Sequence, residues 1–413
     1  MVMPRTPVAP DRPSRRASTA ARTAALAAVA ALGLGGCSLV STPTPPTASG
    51  PSLAVPGTLA YAVCPTAVTP IELATRTPEA DIRLPLSGTP APGDYAIAAS
   101  PDGRWAYVVT TDGVVTGPST GGTAPVTTGA ATTLPPSEAG QNVVVPINLV
   151  TQTAGRPIDL PGTGPTHAIV VLPGGTSVLA GSGQDVVPVD VATRTVGTPI
   201  DLGAGHTVYG MALNPTGTLA YALVAGGVIP VNTVNDSAGT PVQTGLAVSS
   251  VYSPHGIVAS PDGTTVYVIG QGGSDYGGRV LPISAATGAL GAEASFDKFG
   301  IAAPEAVAIS PDSSTLQVVD SANNWINPLP VASFATPPPP VRLPLGLSGG
   351  TEHPSDIVLG PGGTTAYIVE GFDSVLPYTI ASQKFGPAIP VCDGATSMTV
   401  ARSPAGLTAG GPG

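Results

Sequence analysis

The sequence has few charged and aromatic residues and almost no lysine. Only 10% of its 413 residues are charged and 4% are aromatic, and its only lysines are Lys298 and Lys384. Without its first 36 residues, which hold five Arg and one Asp, the chain carries 10 basic and 24 acidic side chains, a formal charge of −14. An acidic chain without a basic patch does not attract a polyanion. We therefore expect no nucleic-acid partner.

Motifs of several enzyme classes are also missing. The sequence contains no Walker loop, dinucleotide fingerprint, paired-cysteine metal motif or helical zinc motif. The pentapeptide GPSTG at 117–121 matches the pattern of a nucleophile elbow. That elbow needs a strand, a sharp turn and a helix that present the serine, and the surrounding Gly/Thr/Pro-rich residues predict none of these. We attribute the match to chance.

The apolar run from Thr23 to Leu34 is too short to span a bilayer, which takes roughly 20 residues. It follows a segment with five arginines and precedes Gly35, Gly36 and Cys37. This order is typical of an export signal, and its end resembles a bacterial lipobox, in which the cysteine becomes lipidated. We predict a lipoprotein signal peptide over 1–36 and lipidation of Cys37. An ordinary secretory signal is the alternative, and the choice between Sec and twin-arginine export stays open.

This signal predicts a protein outside the cytoplasm that is anchored to the bacterial cell membrane through its N-terminal lipid. Residues 37–52 are rich in Ser, Thr and Pro, which predicts a flexible tether. We predict a folded domain over 53–406 and a disordered tail over 407–413.

A phrase repeats along the folded domain: an apolar run, a tight turn that begins with proline, and a second run with β-branched residues. The stretch 253–270, SPHGIVASPDGTTVYVIG, is one copy. The turn prolines of the six copies are Pro101, Pro173, Pro215, Pro261, Pro311 and Pro361, at spacings of 72, 42, 46, 50 and 50 residues. Each copy continues with two more strand-like runs. A period of 40 to 50 residues with four short strands is the signature of a propeller blade.

The two ends of the domain predict a seventh blade. Residues 57–63 and the runs that follow match second to fourth strands, whereas 395–406 match a first strand. We therefore predict an all-β, seven-bladed propeller of four-stranded antiparallel blades, whose ring is closed by N- and C-terminal strands in one blade. In that blade Cys64 and Cys392 lie side by side, so we predict a disulfide between them; two unpaired core cysteines are the alternative.

The copies resemble the YVTN-type β-propeller repeat. Tyr107-Val108-Val109-Thr110, Tyr267-Val268-Ile269-Gly270 and Tyr367-Ile368-Val369 match its aromatic and β-branched part, each after a Pro-Asp-Gly or Pro-Gly-Gly turn. The likeness covers most of 53–406. It implies the propeller fold and says little about activity, because propellers serve many functions.

Blade geometry sorts the loops onto two faces. The proline turns lie on one face, which we call the turn face, and the tether joins there. The connections between blades lie on the opposite face, with His167, His206, His255 and His353 in or beside them; we call it the histidine face and predict that it points away from the membrane. Loop 111–141, an insertion rich in Gly, Thr and Pro, extends from the same face.

Seven residues, each six positions before a turn proline, are predicted to ring the channel mouth on the histidine face: Tyr95, His167, Tyr209, His255, Glu305, Ser355 and Met398. The ligand-binding candidates are Tyr95, His167, Tyr209, His255, Glu305, His353 and Asp356. Side chains of these types bind metals and polar ligands. The alternative is that they only cap backbone groups or meet water.

Two functions follow as hypotheses. The first is a binding or interaction scaffold that engages an envelope protein, a glycan or a small ligand. The second is a hydrolase that resembles lactonase-type propellers, suggested by Pro254-His255-Gly256 before the 261–263 turn. This resemblance implies His255 or Glu305 as general base and a divalent metal ion as cofactor. Gly270 and Gln271 stand where such enzymes carry an acid, so Glu305, Asp320, Asp356 or Glu370 would have to supply it.

Overall fold

A computed structural model describes residues 57–90, 93–112, 140–162, 164–247, 256–272, 277–296, 303–334, 338–344 and 353–402. The predicted signal peptide, tether, Cys37, His255, most of the insertion and the C-terminal tail lie outside the described residues. The described residues form seven antiparallel sheets and one short 3-10 helix, Val331–Ser333. No helix among them is long and apolar enough to cross a membrane. The predicted all-β, seven-bladed propeller is confirmed.

The first strand of each sheet is short and lies at the centre. These strands are β5 (Tyr95–Ala99), β10 (Ile169–Val171), β15 (Gly210–Leu213), β20 (Ile257–Ala259), β24 (Pro304–Ile309), β28 (Asp356–Leu359) and β33 (Ser397–Arg402). Each contacts the first strand of the next sheet, and β33 contacts both β28 and β5. The seven strands therefore surround the central axis.

The second and third strands carry most of the core. The second strands are β1 (Thr58–Cys64), β6 (Trp105–Thr111), β11 (Ser177–Ser182), β16 (Leu219–Val224), β21 (Thr265–Gly272), β25 (Thr315–Asp320) and β29 (Thr365–Glu370). The third strands are β2 (Ala67–Glu72), β7 (Asn142–Asn148), β12 (Asp185–Asp190), β17 (Gly227–Asn232), β22 (Gly277–Ser284), β26 (Trp325–Pro330) and β30 (Ser374–Thr379). Both faces of these strands are buried against neighbouring sheets, which explains their continuous apolar runs.

The outermost strand is interrupted in most sheets. Its pieces are β3 (Thr77–Pro78), β4 (Ile82–Arg83), β8 (Thr153–Ala154), β9 (Ile158–Asp159), β13 (Thr195–Val196), β14 (Ile200–Asp201), β18 (Ser237–Ala238), β19 (Val242–Gln243), β23 (Ala294–Ser295), β27 (Val341–Arg342), β31 (Lys384–Phe385) and β32 (Ile389–Pro390). Short, broken edge strands offer little template for pairing with another chain.

We number the blades along the chain: blade 1 is β5–β9, blade 2 β10–β14, blade 3 β15–β19, blade 4 β20–β23, blade 5 β24–β27 and blade 6 β28–β32. The remaining sheet, the closing blade, contains β1–β4 and β33, with β33 hydrogen-bonded to β1 in antiparallel register from Thr58↔Arg402 to Val63↔Ser397.

The predicted disulfide is confirmed. Cys64 at the end of β1 is bonded to Cys392, with the two Cα atoms 6.0 Å apart and a sequence separation of 328. The bond joins β1 to the segment that leads into β33.

The tyrosine of the repeated phrase has a fixed partner. In five blades it lies directly opposite a proline in the middle of the third strand: Tyr61↔Pro70, Tyr107↔Pro146, Tyr221↔Pro230, Tyr267↔Pro282 and Tyr367↔Pro377. Leu179 and Gln317 occupy this position in blades 2 and 5. Proline has no N–H to donate, but its carbonyl still accepts, as Pro146 O does from Gly155 N at 2.7 Å. The outer strand is interrupted at these contacts.

Candidate functional site

Two of the predicted mouth residues turn toward a neighbouring blade. Tyr95 is 1% exposed, and its hydroxyl donates to the carbonyl of Gly394 in the closing blade. His167 is 3% exposed, and its Nδ1 lies 2.8 Å from the carbonyl oxygen of Gly93, so this nitrogen carries the hydrogen. Both side chains therefore tie adjacent blades together.

Asp94 gives His167 an acidic neighbour. The Asp94 Oδ1 and His167 Nδ1 atoms are 3.8 Å apart. Burial raises the pKa of Asp94, and the nearby His167 lowers it in part. Thr166 Oγ1 donates to the Asp94 carbonyl at 3.1 Å. The entry of β10 is thus fixed to the entry of β5 by three polar contacts.

Tyr209 continues this arrangement into blade 3. Its ring is stacked on that of His167, with centroids 6.0 Å apart and planes 8° from parallel. Unlike Tyr95 and His167, Tyr209 is only partly buried. It borders a hollow of about 500 Å³ together with Gly226, Gln243, Gly245 and Leu246. The predicted mouth residue Tyr209 therefore has surface that a ligand can reach.

The walls of this hollow come from the histidine-face loops of blade 3. Gly245 has φ +70°, and a Cβ there would meet no atom within 4 Å, so the hollow is open above it. Thr244 fixes the loop, since its backbone N and Oγ1 lie 2.9 and 3.1 Å from the Gly226 carbonyl oxygen. The Gln243 side chain is exposed. Tyr209 and Gln243 give the hollow an aromatic surface and a planar amide, and none of the described residues that line it is charged. His206 lies in the loop before Tyr209. It is partly buried, and its Nδ1 is 2.6 Å from the Leu202 carbonyl oxygen.

A second cluster on the same face joins blades 5 and 6. The Ser321 hydroxyl donates to Glu305 Oε1 at 2.7 Å, and the Ser321 carbonyl lies 3.2 Å from Nδ1 of the exposed His353. Glu305 is 7% exposed. The structure therefore brings together two predicted site residues, Glu305 and His353, around a serine that the repeat pattern did not single out.

Asp320 precedes that serine and is fully buried. It accepts from the backbone N of Ala303 and Ala322 at 3.2 and 3.0 Å and from Asn323 Nδ2 at 2.8 Å. Burial raises its pKa, while these hydrogen bonds lower it in part. Asp320 thus holds the two loops of blade 5 that frame Glu305.

Asp356 has a structural contact on the histidine face. It is fully buried; its Oδ1 accepts from Ile357 N and its Oδ2 from Met398 N, both at 2.7 Å. The second bond joins β28 to β33 across neighbouring blades. Ser355, 4% exposed, has no hydrogen-bond partner for its hydroxyl among the described residues.

The described residues do not assemble a metal site. No group of three His, Cys, Asp or Glu side chains among them is placed to hold an ion. His255 lies outside the described residues. The metal predicted for the hydrolase alternative therefore has no ligand set here, and we derive no chemical step from it.

The predicted insertion begins and ends at paired backbone groups on the histidine face. Asp112 N donates to Gln141 O at 2.8 Å, and Gly140 N donates to Asp112 O at 2.5 Å. The Asp112 carboxylate is fully buried and accepts from Ser87 N at 2.8 Å. The intervening residues 113–139 lie outside the described residues.

Sequence reasoning missed the residues of the hollow other than Tyr209. Gln243, Gly226 and Gly245 have no repeated motif around them, and they meet Tyr209 only because two loops of one blade end on the same face. The sequence does offer one signal for this hollow: glycines at 226, 227 and 245. Because glycine has no side chain, these loops leave room for a ligand beside their backbone.

Comparison with known proteins supports the fold alone. No protein-family model matches the sequence, and no curated protein matches it. The chain is similar in structure to Kuenenia stuttgartiensis hydrazine synthase, with a TM-score of 0.57 at 14% identity over 85% of this chain and 100% of that chain. It is also similar to the Cps50 (Swd1) β-propeller domain of Myceliophteria thermophila, with a TM-score of 0.52 at 11% identity over 73% and 88% of the two chains.

A third similar structure is a functionally unknown protein from Desulfotomaculum acetoxidans, with a TM-score of 0.53 at 13% identity over 83% of this chain and 99% of that chain. At these sequence identities the structural similarity shows only a shared propeller fold. Proteins with this fold have many unrelated functions. The activity must therefore be argued from the residues of the histidine face.

Proposed function

We propose that the protein is a lipid-anchored, extracytoplasmic scaffold that binds an envelope protein, a glycan or a small ligand through its histidine face. The observation that carries this proposal is the open hollow of about 500 Å³ beside Tyr209 on that face. Its volume is in the range of ligand sites, and it combines an aromatic ring with a planar amide.

Support for the orientation comes from the way the chain enters the propeller. β1 begins at Thr58, and its first residue pairs with the end of β33, so the chain enters β1 on the turn face. A membrane anchor at Cys37, joined through the predicted tether over 37–52, would then leave the histidine face directed outward.

The test is capture from envelope extracts by the full chain carrying Cys37→Ser. We expect a specific partner that is lost with Tyr209→Ala/Gln243→Ala and retained with Thr264→Ala, which alters an exposed residue on the turn face. Capture that is equal for both variants would contradict a role for the hollow. Membrane fractionation tests the anchor, since Cys37→Ser should move the protein to the soluble fraction.

A hydrolase is the second candidate, and the Glu305–Ser321–His353 cluster favours it. The cluster places a carboxylate and a hydroxyl at 2.7 Å, with an imidazole nearby, on a face that a substrate can reach. A panel of lactones tests this candidate. Hydrolysis that falls at least tenfold with Glu305→Gln would support it, whereas equal rates for both proteins would remove it.

A further inference from the structure

The turns between third and fourth strands share one conformation. The fourth residue after the third strand has a positive φ of 51° to 70° in six blades: Arg76, Gln152, Arg194, Asp236, Gly288 and Gln383. All of these residues except Gln383 are seen to lie at the joint with the preceding blade. Their side chains therefore decide how each joint is covered.

Long side chains cover three of these joints. Arg194 donates from Nη1 and Nη2 to the carbonyls of Arg156 and Pro157 in blade 1, at 3.0 and 2.6 Å. Gln152 donates to the Glu79 carboxylate of the closing blade. Arg76 lies against Gly386 of blade 6, where a Cβ would come within 2.7 Å of its Nη1.

Short residues leave two joints open. Asp236, at the joint of blades 2 and 3, borders a cavity of about 390 Å³ whose lining includes Asp190. Gly288, at the joint of blades 3 and 4, borders a groove of about 500 Å³. These two openings thus lie where the turn residue is short.

The groove at Gly288 is apolar. Its walls include Tyr221, Val228, Pro230, Val242, Val266 and Ile283. No Asp, Glu, Lys, Arg or His is among the described residues that line it, whereas the neighbouring cavity carries two aspartates. Polar atoms at the groove come from hydroxyls such as those of Thr240, Ser284 and Thr287. An ionic ligand would lose its hydration in this groove, and no charged side chain among the described lining residues would offset that cost.

We propose that this groove, between blades 3 and 4, is a binding site for an uncharged, largely hydrocarbon small molecule. Removal of apolar surface from water drives the binding. The rim hydroxyls accept or donate to a single hydroxyl or ester group of the ligand. This site is separate from the hollow on the histidine face and does not depend on the function proposed for it.

The decisive variant is Gly288→Arg, which should fill the groove as Arg194 covers its own joint. The backbone accepts this change, because Arg76 and Arg194 adopt φ 58° at the equivalent position. A Cβ at 288 would lie 3.2 Å from Val242 Cγ2, so Val242 must shift by a few tenths of an ångström. Gly205→Arg is the matched control: Gly205 has φ +86° with no atom within 4 Å of a Cβ, and it lies outside the groove.

The probe is N-phenyl-1-naphthylamine, an uncharged apolar fluorophore, titrated into the full chain carrying Cys37→Ser. We expect one saturable site, at least tenfold weaker binding with Gly288→Arg, and binding within twofold of the parent with Gly205→Arg. Thr287→Trp provides a second obstruction at an exposed lining residue and should also weaken binding. Equal binding by the parent, Gly288→Arg and Thr287→Trp would overturn the proposal.

Competition tests the charge of the ligand. 1-Dodecanol should displace the fluorophore at lower concentration than dodecanoate or dodecyltrimethylammonium. If either ionic competitor were the most effective by tenfold or more, the assignment to an uncharged ligand would be wrong.

Discussion

At the scale of single residues, a serine hydroxyl closes each of three Ser-Pro-Asp turns on the turn face. The pairs, with Oγ to Oδ1 distances, are Ser100–Asp102 at 2.6 Å, Ser260–Asp262 at 2.6 Å and Ser310–Asp312 at 2.5 Å. This hydrogen bond is the main reason that the pKa of each aspartate lies below its usual value. The charged carboxylate is therefore the form that the folded turn prefers.

These turns predict a loss of stability in acid. Because the folded pKa is lowered, the contribution is complete above the ordinary aspartate pKa of about 3.9 and is lost as pH falls through the lower folded value. The free energy of unfolding should therefore drop as the pH falls below about 4. A triple variant with Asn at 102, 262 and 312 should show a shallower drop in denaturant titrations over that range. An unchanged slope would exclude these turns as its cause.

Gln317 is a buried polar residue at a position where the other blades have tyrosine or leucine. It occupies the position that holds tyrosine in five blades, it is 1% exposed, and neither polar atom of its amide has a hydrogen-bond partner among the described residues. A buried amide without partners costs about 1 to 3 kcal/mol.

We expect Gln317→Leu to raise the free energy of unfolding by about 1 to 3 kcal/mol, because it removes that cost and keeps the volume similar. Chemical denaturation measures this, with Leu179 of blade 2 as the natural precedent for leucine opposite proline. Destabilisation by this variant would mean that the amide is satisfied in solution.

At the scale of strands and turns, much of the fold could be predicted. The apolar run, proline turn and β-branched run around Pro261 predict β20 and β21 because alternation and turn chemistry are local properties. The two pieces of the outer strand could not be predicted in this way. They depend on the hydrogen bond from Gly155, which lies between β8 and β9, to Pro146 of β7.

Glycines opposite the third-strand prolines should resist substitution. A Cβ at Gly291 would lie 2.9 Å from Pro282 Cγ, closer than real Cβ contacts allow. We expect Gly291→Ala to lower the free energy of unfolding by about 1 to 3 kcal/mol through overpacking. Gly174→Ala is the control, because a Cβ there meets nothing within 4 Å. Equal stability of the two variants would show that the outer strand shifts to accommodate the extra methyl group without loss of stability.

The candidate site was only partly predictable. The position six residues before each turn proline predicts Tyr209 on the histidine face, where it lines the hollow, because the repeat fixes where a strand begins. The same rule placed Tyr95 and His167 on that face, but their contacts with Gly394 and Gly93 depend on side-chain length and on the neighbouring blade. Gln243 belongs to the site through loop geometry that periodicity does not encode.

At the scale of the whole molecule, one covalent bond links the two ends of the propeller. The Cys64–Cys392 disulfide closes a loop of 328 residues and joins β1 to the segment before β33. In the chain-entropy model a loop of this length contributes up to about 5 to 6 kcal/mol. Cys64→Ser/Cys392→Ser should therefore unfold at clearly lower denaturant concentration.

The reduced parent protein should behave like the double serine variant, which controls for the substitution itself. Midpoints of the oxidised and reduced parent that coincide would contradict a stabilising role for this bond. The hydrogen bonds between β1 and β33 would then hold the closing blade together without it.

At the level of the two faces, we propose that the histidine face meets the ligand or partner while the turn face points to the membrane. Photo-crosslinking in intact cells tests it most directly, with a photoreactive amino acid at Gln243 on the histidine face or at Thr264 on the turn face; both positions are exposed. We predict a discrete adduct from position 243 and none from position 264. An adduct from position 264 alone would contradict this proposal, because the binding surface would then lie on the face assigned to the membrane.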